Sequence, residues 1–139
     1  DFDAFIATDV DFSDSMIFQE NMTSDDYFAE TPYILDKGYF MNKLQLDHKL
    51  AANITVSGMM VYNRLAEDIA LADGSCSKDL GLEFGSKVSY FPHPSLELSA
   101  EAAYLASGDA MDALEETALQ DGKSDQDIVH VAGRVRYKF

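Results

Sequence analysis

Basic side chains occupy four of the five even-numbered positions from 130 to 138, and the fifth is Ala132. The charged set is His130, Arg134, Arg136 and Lys138, and the alternate set is Val129, Val131, Val135, Tyr137 and Phe139. Because successive side chains of a strand point to opposite faces, this spacing predicts a strand with one basic face and one apolar face. A row of bases that faces water raises the local concentration of anions. The chemistry that this segment suggests is therefore attraction of anionic solutes.

The same spacing recurs in four earlier segments, whose charged residues complete a set of candidate pore-lining residues. The full set is Lys43, Asp47, Lys49, Glu83, Lys87, Glu97, Glu101, His130, Arg134, Arg136 and Lys138. Carboxylates opposite bases on a neighbouring strand neutralise them. Two readings thus stay open: a wall that favours anions, and a wall whose bases are cancelled by Glu97 and Glu101.

Four acids near the start of the chain have a spacing that partly matches a calcium loop. They are Asp9, Asp11, Asp14 and Glu20. A calcium loop of the EF-hand type needs glycine at its sixth position, where this chain has Asp14, and no flanking helices are predicted. An EF-hand is therefore not expected, and the alternatives are a loop-bound Ca²⁺ and a solvated acidic loop without a cofactor.

The remaining reactive side chains predict no enzyme. Cys76 is the single cysteine, no catalytic base is expected near it, and His48, His93 and His130 lack metal-site spacing. Phosphate-binding glycine loops and nucleophile-elbow motifs are missing from the sequence. The net charge of −15, from 25 acids and 10 bases, argues against nucleic acid as a partner.

Five strands are predicted to position these residues. Their ranges are 39–50, 54–65, 80–90, 96–105 and 128–139, each about 10 residues long, the length that a tilted strand needs to cross a bilayer. Turns are expected at 51–53 and 91–95, with polar loops at 66–79 and 106–127, the second holding a short helix at 111–120. Residues 1–38 are predicted to be an acidic outer loop region. The second strand alternates less clearly, because Met59 and Val61 fall on its polar side.

Three regularities favour a membrane barrel over a soluble sandwich. Short and long connections alternate, as periplasmic turns and outer loops do. Aromatic residues fall at two levels, Tyr39, Phe40, Tyr62 and Tyr104 near the loop end and Tyr90, Phe91, Tyr137 and Phe139 near the turn end. The five segments hold seven bases and four acids, whereas the rest of the chain holds three bases and 21 acids. We therefore predict an all-β fold, an antiparallel up-and-down transmembrane β-barrel segment with long acidic outer loops.

Several segments resemble the end of Gram-negative outer-membrane porins of the alginate-export-like group. The resemblance covers residues 78–83, 88–90, 103–109 and 136–139, and the terminal Phe139 is similar to the aromatic residue with which the last strand of such barrels ends. It implies an outer-membrane location, contact with lipid and lipopolysaccharide, and passage of polar solutes through a water-filled lumen. It also implies a barrel of many more strands than this chain supplies.

The predicted strands, about five to seven, are too few to close, since about eight is the usual minimum for a membrane barrel. An open edge in lipid leaves backbone groups without partners. We therefore expect an incomplete barrel, 39–139 supplying its C-terminal strands, completed by a further polypeptide or a missing N-terminal segment, or by assembly as an oligomer. The alternatives are a scaffold barrel piece without conductance and a soluble all-β binding module.

Overall fold

A computed structural model describes residues 15–17, 38–115, 119–124 and 126–139, and it contains five strands and one short helix. The strands are β1 (Tyr39–Ala51), β2 (Ile54–Ala70), β3 (Cys76–His93), β4 (Leu96–Ser107) and β5 (Ile128–Tyr137). A 3₁₀ helix spans Asp109–Leu114, between β4 and β5. None of the described segments is a helix long and apolar enough to cross a membrane.

All five strands belong to one antiparallel sheet in which each strand pairs with the next along the chain. The spatial order is β1-β2-β3-β4-β5, so β1 and β5 are the two edges and the sheet is not closed. Residues 52–53 and 94–95 are two-residue links, which antiparallel neighbours can use. The predicted all-β, up-and-down class is thus confirmed for the described residues.

The predicted loop at 66–79 is wrong, because β2 and β3 continue through most of it. Ile69 pairs with Ser77 and Ala70 with Cys76, leaving only residues 71–75 as the connection. The turn forms where Gly74 takes a φ of +84°, a conformation that glycine adopts at no steric cost. Cys76 is consequently the first residue of β3, and its thiol is free and exposed. The short helix predicted at 111–120 is wrong in its bounds, because a 3₁₀ helix spans Asp109–Leu114, whereas Glu115, Leu119 and Gln120 are not helical.

A β-bulge on β3 separates the regular part of the β2–β3 hairpin from its extension. Asn63 pairs with Gly81 and Arg64 with Asp79, so Leu80 is an extra residue on β3. Gly81 has a φ of +119°, which L-residues rarely adopt. The bulge allows Leu80 to be buried at 2% exposure against Leu65 and the 3₁₀ helix.

Of the ten buried apolar residues in the described part of the chain, eight form two clusters on the loop-end half of the sheet. One cluster consists of Leu65, Leu80, Ala110 and Met111, where the 3₁₀ helix covers the sheet. The other consists of Met16, Ile17, Ala103 and Leu105, where residues 15–17 cover it. The core therefore lies between the sheet and two short segments that cross it.

Candidate functional site

The strand register places the predicted pore-lining residues on a single face, called here the polar face. Asp47 lies opposite Ser57, which lies opposite Lys87, which in turn lies opposite Glu101. By the same alternation the polar face carries Lys43, Asp47, Lys49, Glu83, Lys87, Glu97, Glu101, His130, Arg134 and Arg136. Lys138 follows β5, and its backbone N–H donates to the Ser95 carbonyl at 2.9 Å. The structure thus brings charges from four strands together on one face.

The opposite face, called here the apolar face, carries large hydrophobic side chains on all five strands. Its members include Leu44, Leu46, Met60, Tyr62, Phe84, Val88, Tyr90, Leu98, Tyr104, Val129, Val131, Val135 and Tyr137. These side chains are exposed, up to 75% for Val131. The face also carries Asn42, His48, Ser86 and, opposite Phe40 at the loop end, Arg64. Within the described residues, the segments that cover the sheet lie on its charged side, and the exposed large hydrophobic side chains lie mainly on the other side.

Aromatic side chains lie toward both ends of the apolar face, with smaller residues between them. Tyr104 pairs with Phe84 toward the loop end, and Tyr137 pairs with Leu96 at the turn end. The rows between them hold Val88, Ala100, Ala102 and Val131, among others. The rings of Tyr137 and Phe139 meet edge to face with centroids 5.0 Å apart. The side chain of Tyr39, the remaining member predicted for the loop-end level, lies outside the described residues.

Ion pairs cross the strands in the turn-end half of the polar face. One Glu101 carboxylate oxygen lies 3.6 Å from Lys87 Nζ, and the other lies 3.6 Å from His130 Nε2. Glu97 lies 3.8 Å from Arg136 and accepts a 3.1 Å hydrogen bond from the Ser89 hydroxyl. Pairs with water access contribute only about 0–1 kcal/mol, so their main effect is on the local charge.

The cross-strand pairs cancel part of the basic charge, as one of the two sequence-based readings expected. Among the described residues, Lys49, Arg134 and Lys138 have no ion-pair partner. Arg134 is exposed and lies opposite Ser99 in the register. The excess positive charge is thereby concentrated toward the turn end.

Glu83 differs from the other predicted lining residues because it is fully buried. Its carboxylate accepts from the Ser15 hydroxyl at 2.5 Å and from the Met16 backbone N–H at 2.7 Å. The Ser15 hydroxyl oxygen in turn accepts from the Ile17 backbone N–H at 3.2 Å. A buried carboxylate needs such donors to offset its loss of hydration. Residues 15–17 therefore lie on the sheet beside Glu83.

Sequence reasoning missed this contact, although two residues signalled it. Met59 and Val61 are apolar residues on the polar side of β2, and Met59 is partly buried and Val61 fully buried. Val61 is fully buried opposite Glu83, and Met59 packs against the cluster that contains Met16. An apolar side chain on a predicted wet face indicates that something covers that face.

Two carboxylates fix the backbone at the loop end. Asp127 accepts from the Tyr104 hydroxyl and from the Ser107 backbone N–H, and these bonds lower the pKa of the Asp127 carboxyl. Hydrogen bonds from Ser75 likewise lower the pKa of the Asp73 carboxyl in the β2–β3 turn. Both groups are therefore held in their charged form, which accepts hydrogen bonds best.

The described residues contain no group of three or more His, Cys, Asp or Glu side chains that could hold a metal ion. The weak metal candidates Asp9, Asp11, Asp14 and Glu20 lie outside the described residues. His93 is occupied at the turn end, where its Nδ1 accepts from the Ser95 backbone N–H at 3.2 Å. The functional feature of the described residues is therefore the row of charged side chains on the polar face.

Comparison with known protein families, with curated proteins and with solved structures found no match for this chain.

Proposed function

We propose that this chain forms part of the wall of an outer-membrane β-barrel through which polar solutes diffuse. The observation that carries the proposal is the inverted sheet: large apolar side chains are exposed on one face, while charged side chains occupy the other. In a bilayer the apolar face contacts hydrocarbon and the polar face lines a lumen. The resemblance to porins of the alginate-export-like group supports the same assignment.

A soluble sandwich would bury the apolar face beneath a second sheet. Val131 and Val135, at 75% and 72% exposed, meet no such layer among the described residues. Contiguous apolar patches larger than a few hundred Å² are rare on soluble monomers. Lipid, with lipopolysaccharide beside the outer loops, is the partner that fits this surface.

Two open edges argue that another strand-forming segment completes the wall. β1 and β5 lie at opposite ends of the sheet order, and each leaves one row of backbone groups without a strand partner in the described part of the chain. Unpaired backbone groups are strongly unfavourable in hydrocarbon. A further polypeptide, an N-terminal segment or an oligomeric partner would supply the missing strands.

The charge pattern suggests which solutes such a lumen would favour. Glu97 and Glu101 are engaged by bases, whereas Lys49, Arg134 and Lys138 keep their charge unpaired in the described residues. A small excess of cations raises the local concentration of anions and leaves neutral polar solutes unhindered. We therefore infer a lumen for polar solutes with a modest preference for anions.

Planar bilayer recording on the native protein, together with the segment that completes its sheet, tests the proposal. Stepwise conductance, with a reversal potential that indicates anion preference in a salt gradient, is the expected result. Stable folding in buffer without detergent would instead identify a soluble all-β binding module.

A scaffold or anchor without conductance is the second candidate, and one observation favours it. Residues 15–17 and the 3₁₀ helix cover the loop-end half of the polar face, and Glu83 and Leu105 are fully buried there. A membrane-inserted protein that never conducts, with or without this cover, would support the scaffold.

A further inference from the structure

The contact between residues 15–17 and the sheet joins positions far apart in the chain. Both oxygens of the Glu83 carboxylate are used, one by the Ser15 hydroxyl and the other by the Met16 N–H. In the described part of the chain, these are the groups that offset the burial of Glu83. Hydrogen bonds to an ionised group are about twice as strong as neutral ones. The contact is therefore polar, specific and dependent on one side chain of the wall.

The wall is also shaped for the two apolar side chains of the segment. Gly85 leaves room for two methionines, since a Cβ at this position would lie 2.7 Å from Met59 Cε and 2.9 Å from Met16 Sδ. Ala103 is the cross-strand partner of Gly85, and it belongs to the cluster that buries Met16 and Ile17. Met16 and Ile17 are only 8% and 3% exposed as a result. Glu83, Gly85, Ala103, Leu105 and Met59 together are called here the seat.

We propose that the seat is a built binding site for the chain's own residues 15–17, and that this segment obstructs the solute path. The proposal rests on the proposed function, because only a conducting lumen can be obstructed. Glu83 is then a positioning residue that holds the segment. The paired charges Lys87 and Glu101 lie two rows of the register farther toward the turn end, beyond Gly85 and Ala103. A solute that enters from the loop end meets the seated segment before it meets them.

Cysteine labelling of the intact native protein tests whether the seat holds the segment. In a Cys76→Ser background, Ile17→Cys places a thiol at a position that is 3% exposed, so a bulky maleimide should react slowly. Glu83→Gln should raise the labelling rate by roughly 10- to 100-fold, the factor expected when a hydrogen bond to a charged group is lost from a closed state. Glu97→Gln is the matched control, because it makes the same change on the same face away from the seat and should leave the rate unchanged.

A second variant keeps the test conclusive if Glu83→Gln misfolds. Met16→Asp alters the segment and leaves every residue of the seat in place, so it should also raise the labelling rate. Equal rates in the parent and in both variants would overturn the seat. An equal rise in the Glu97→Gln control would overturn it too, because the change would then be general loosening.

Conductance recorded on the same proteins separates this inference from the proposed function. Larger conductance steps in Glu83→Gln and Met16→Asp than in the parent would support the obstruction. Faster labelling with unchanged conductance would overturn the obstruction and leave the seat in place. If none of the proteins conducts, the proposed function and the obstruction both fail, and the labelling rates alone decide whether the seat exists.

Discussion

Replacing Val131 by arginine distinguishes lipid from water on the apolar face more sharply than any other single change. Val131 is 75% exposed in the middle of β5, a strand of 10 residues. At a rise of about 3.3 Å per residue and a tilt near 40°, β5 spans roughly 25 Å, the height of the apolar band of such barrels. Val131 then lies roughly 4 Å from the mid-height of the bilayer.

The two environments predict very different free energies of unfolding. If the apolar face contacts water, Val131→Arg changes an exposed side chain and should matter by less than about 0.5 kcal/mol. If it contacts hydrocarbon near the midplane, the change should cost about 2–4 kcal/mol. That range corresponds to a roughly 30- to 1,000-fold lower ratio of folded to unfolded protein.

The assay is denaturant unfolding of the intact protein in lipid vesicles, followed by circular dichroism because the chain contains no tryptophan. Ala132→Arg is the matched control, since Ala132 lies on the polar face opposite Glu101 and an added cation there should cost at most about 1 kcal/mol. Val129→Arg, nearer the loop-end interface, should cost about 0–1 kcal/mol.

Two results would contradict contact between the apolar face and lipid. Equal and small changes in the free energy of unfolding for Val131→Arg and Ala132→Arg would mean that the apolar face contacts water. Equal and large effects of Val131→Arg and Val129→Arg would mean that a layer of protein covers the face, because protein burial has no dependence on membrane depth.

Three further predictions concern the bulge, the β2–β3 turn and the charged wall. Gly81→Ala should destabilise the protein by about 1–3 kcal/mol, because a φ of +119° strains an L-residue and the new Cβ meets the Ala106 carbonyl; a melting curve that matches the parent would contradict this. The Asp73 carboxyl has a lowered pKa, so its ionised form stabilises the turn above the unfolded pKa, and this stabilisation is lost as pH falls through the folded value. Protection of the Ser75 amide, measured against its intrinsic exchange rate at the same pH, should therefore fall below about pH 4 and should not change with pH in Asp73→Asn. Glu101→Gln should strengthen anion preference, because it removes the carboxylate that pairs with Lys87, and an unchanged reversal potential would count against a conducting wall.

The strands and their two faces were predictable because the contrast between alternate residues is a local property of the sequence. Val131 and Arg134 fall on opposite faces whatever the rest of the chain does. The extension of β2 and β3 was not predictable in the same way. The residues of this extension mix polar and apolar types without alternation. They pair because the regular part of the β2–β3 hairpin already holds the two strands side by side. Lys78 and Asp68 form an ion pair at 3.6 Å in the extension.

The seat for residues 15–17 could not be predicted from local pattern, since Ser15 and Glu83 are remote in the chain. The alternation of residues predicted that Glu83 lines a water-filled lumen. Its burial depends on which segment of the chain crosses the sheet at that point. Met59 and Val61 on the polar side of β2 were the available signal, and they indicate that part of that face is covered without identifying the cover. Cross-strand neutralisation by Glu97 and Glu101 was predictable because alternation places both carboxylates on the face that carries the bases of the neighbouring strands.

Collision of a spin label with oxygen and with a water-soluble nickel complex tests most directly whether lipid covers the apolar face. Single labels at Val131, Val135 and Leu98, and at the neighbouring Ala132, Arg134 and Ser99, are attached to the intact protein in vesicles in a Cys76→Ser background. Collisions with oxygen should dominate at the first three positions, and the nickel complex should reach the labels at the second three. Nickel access at Val131 and Val135, or immobile labels there that neither reagent reaches, would contradict contact between the apolar face and lipid.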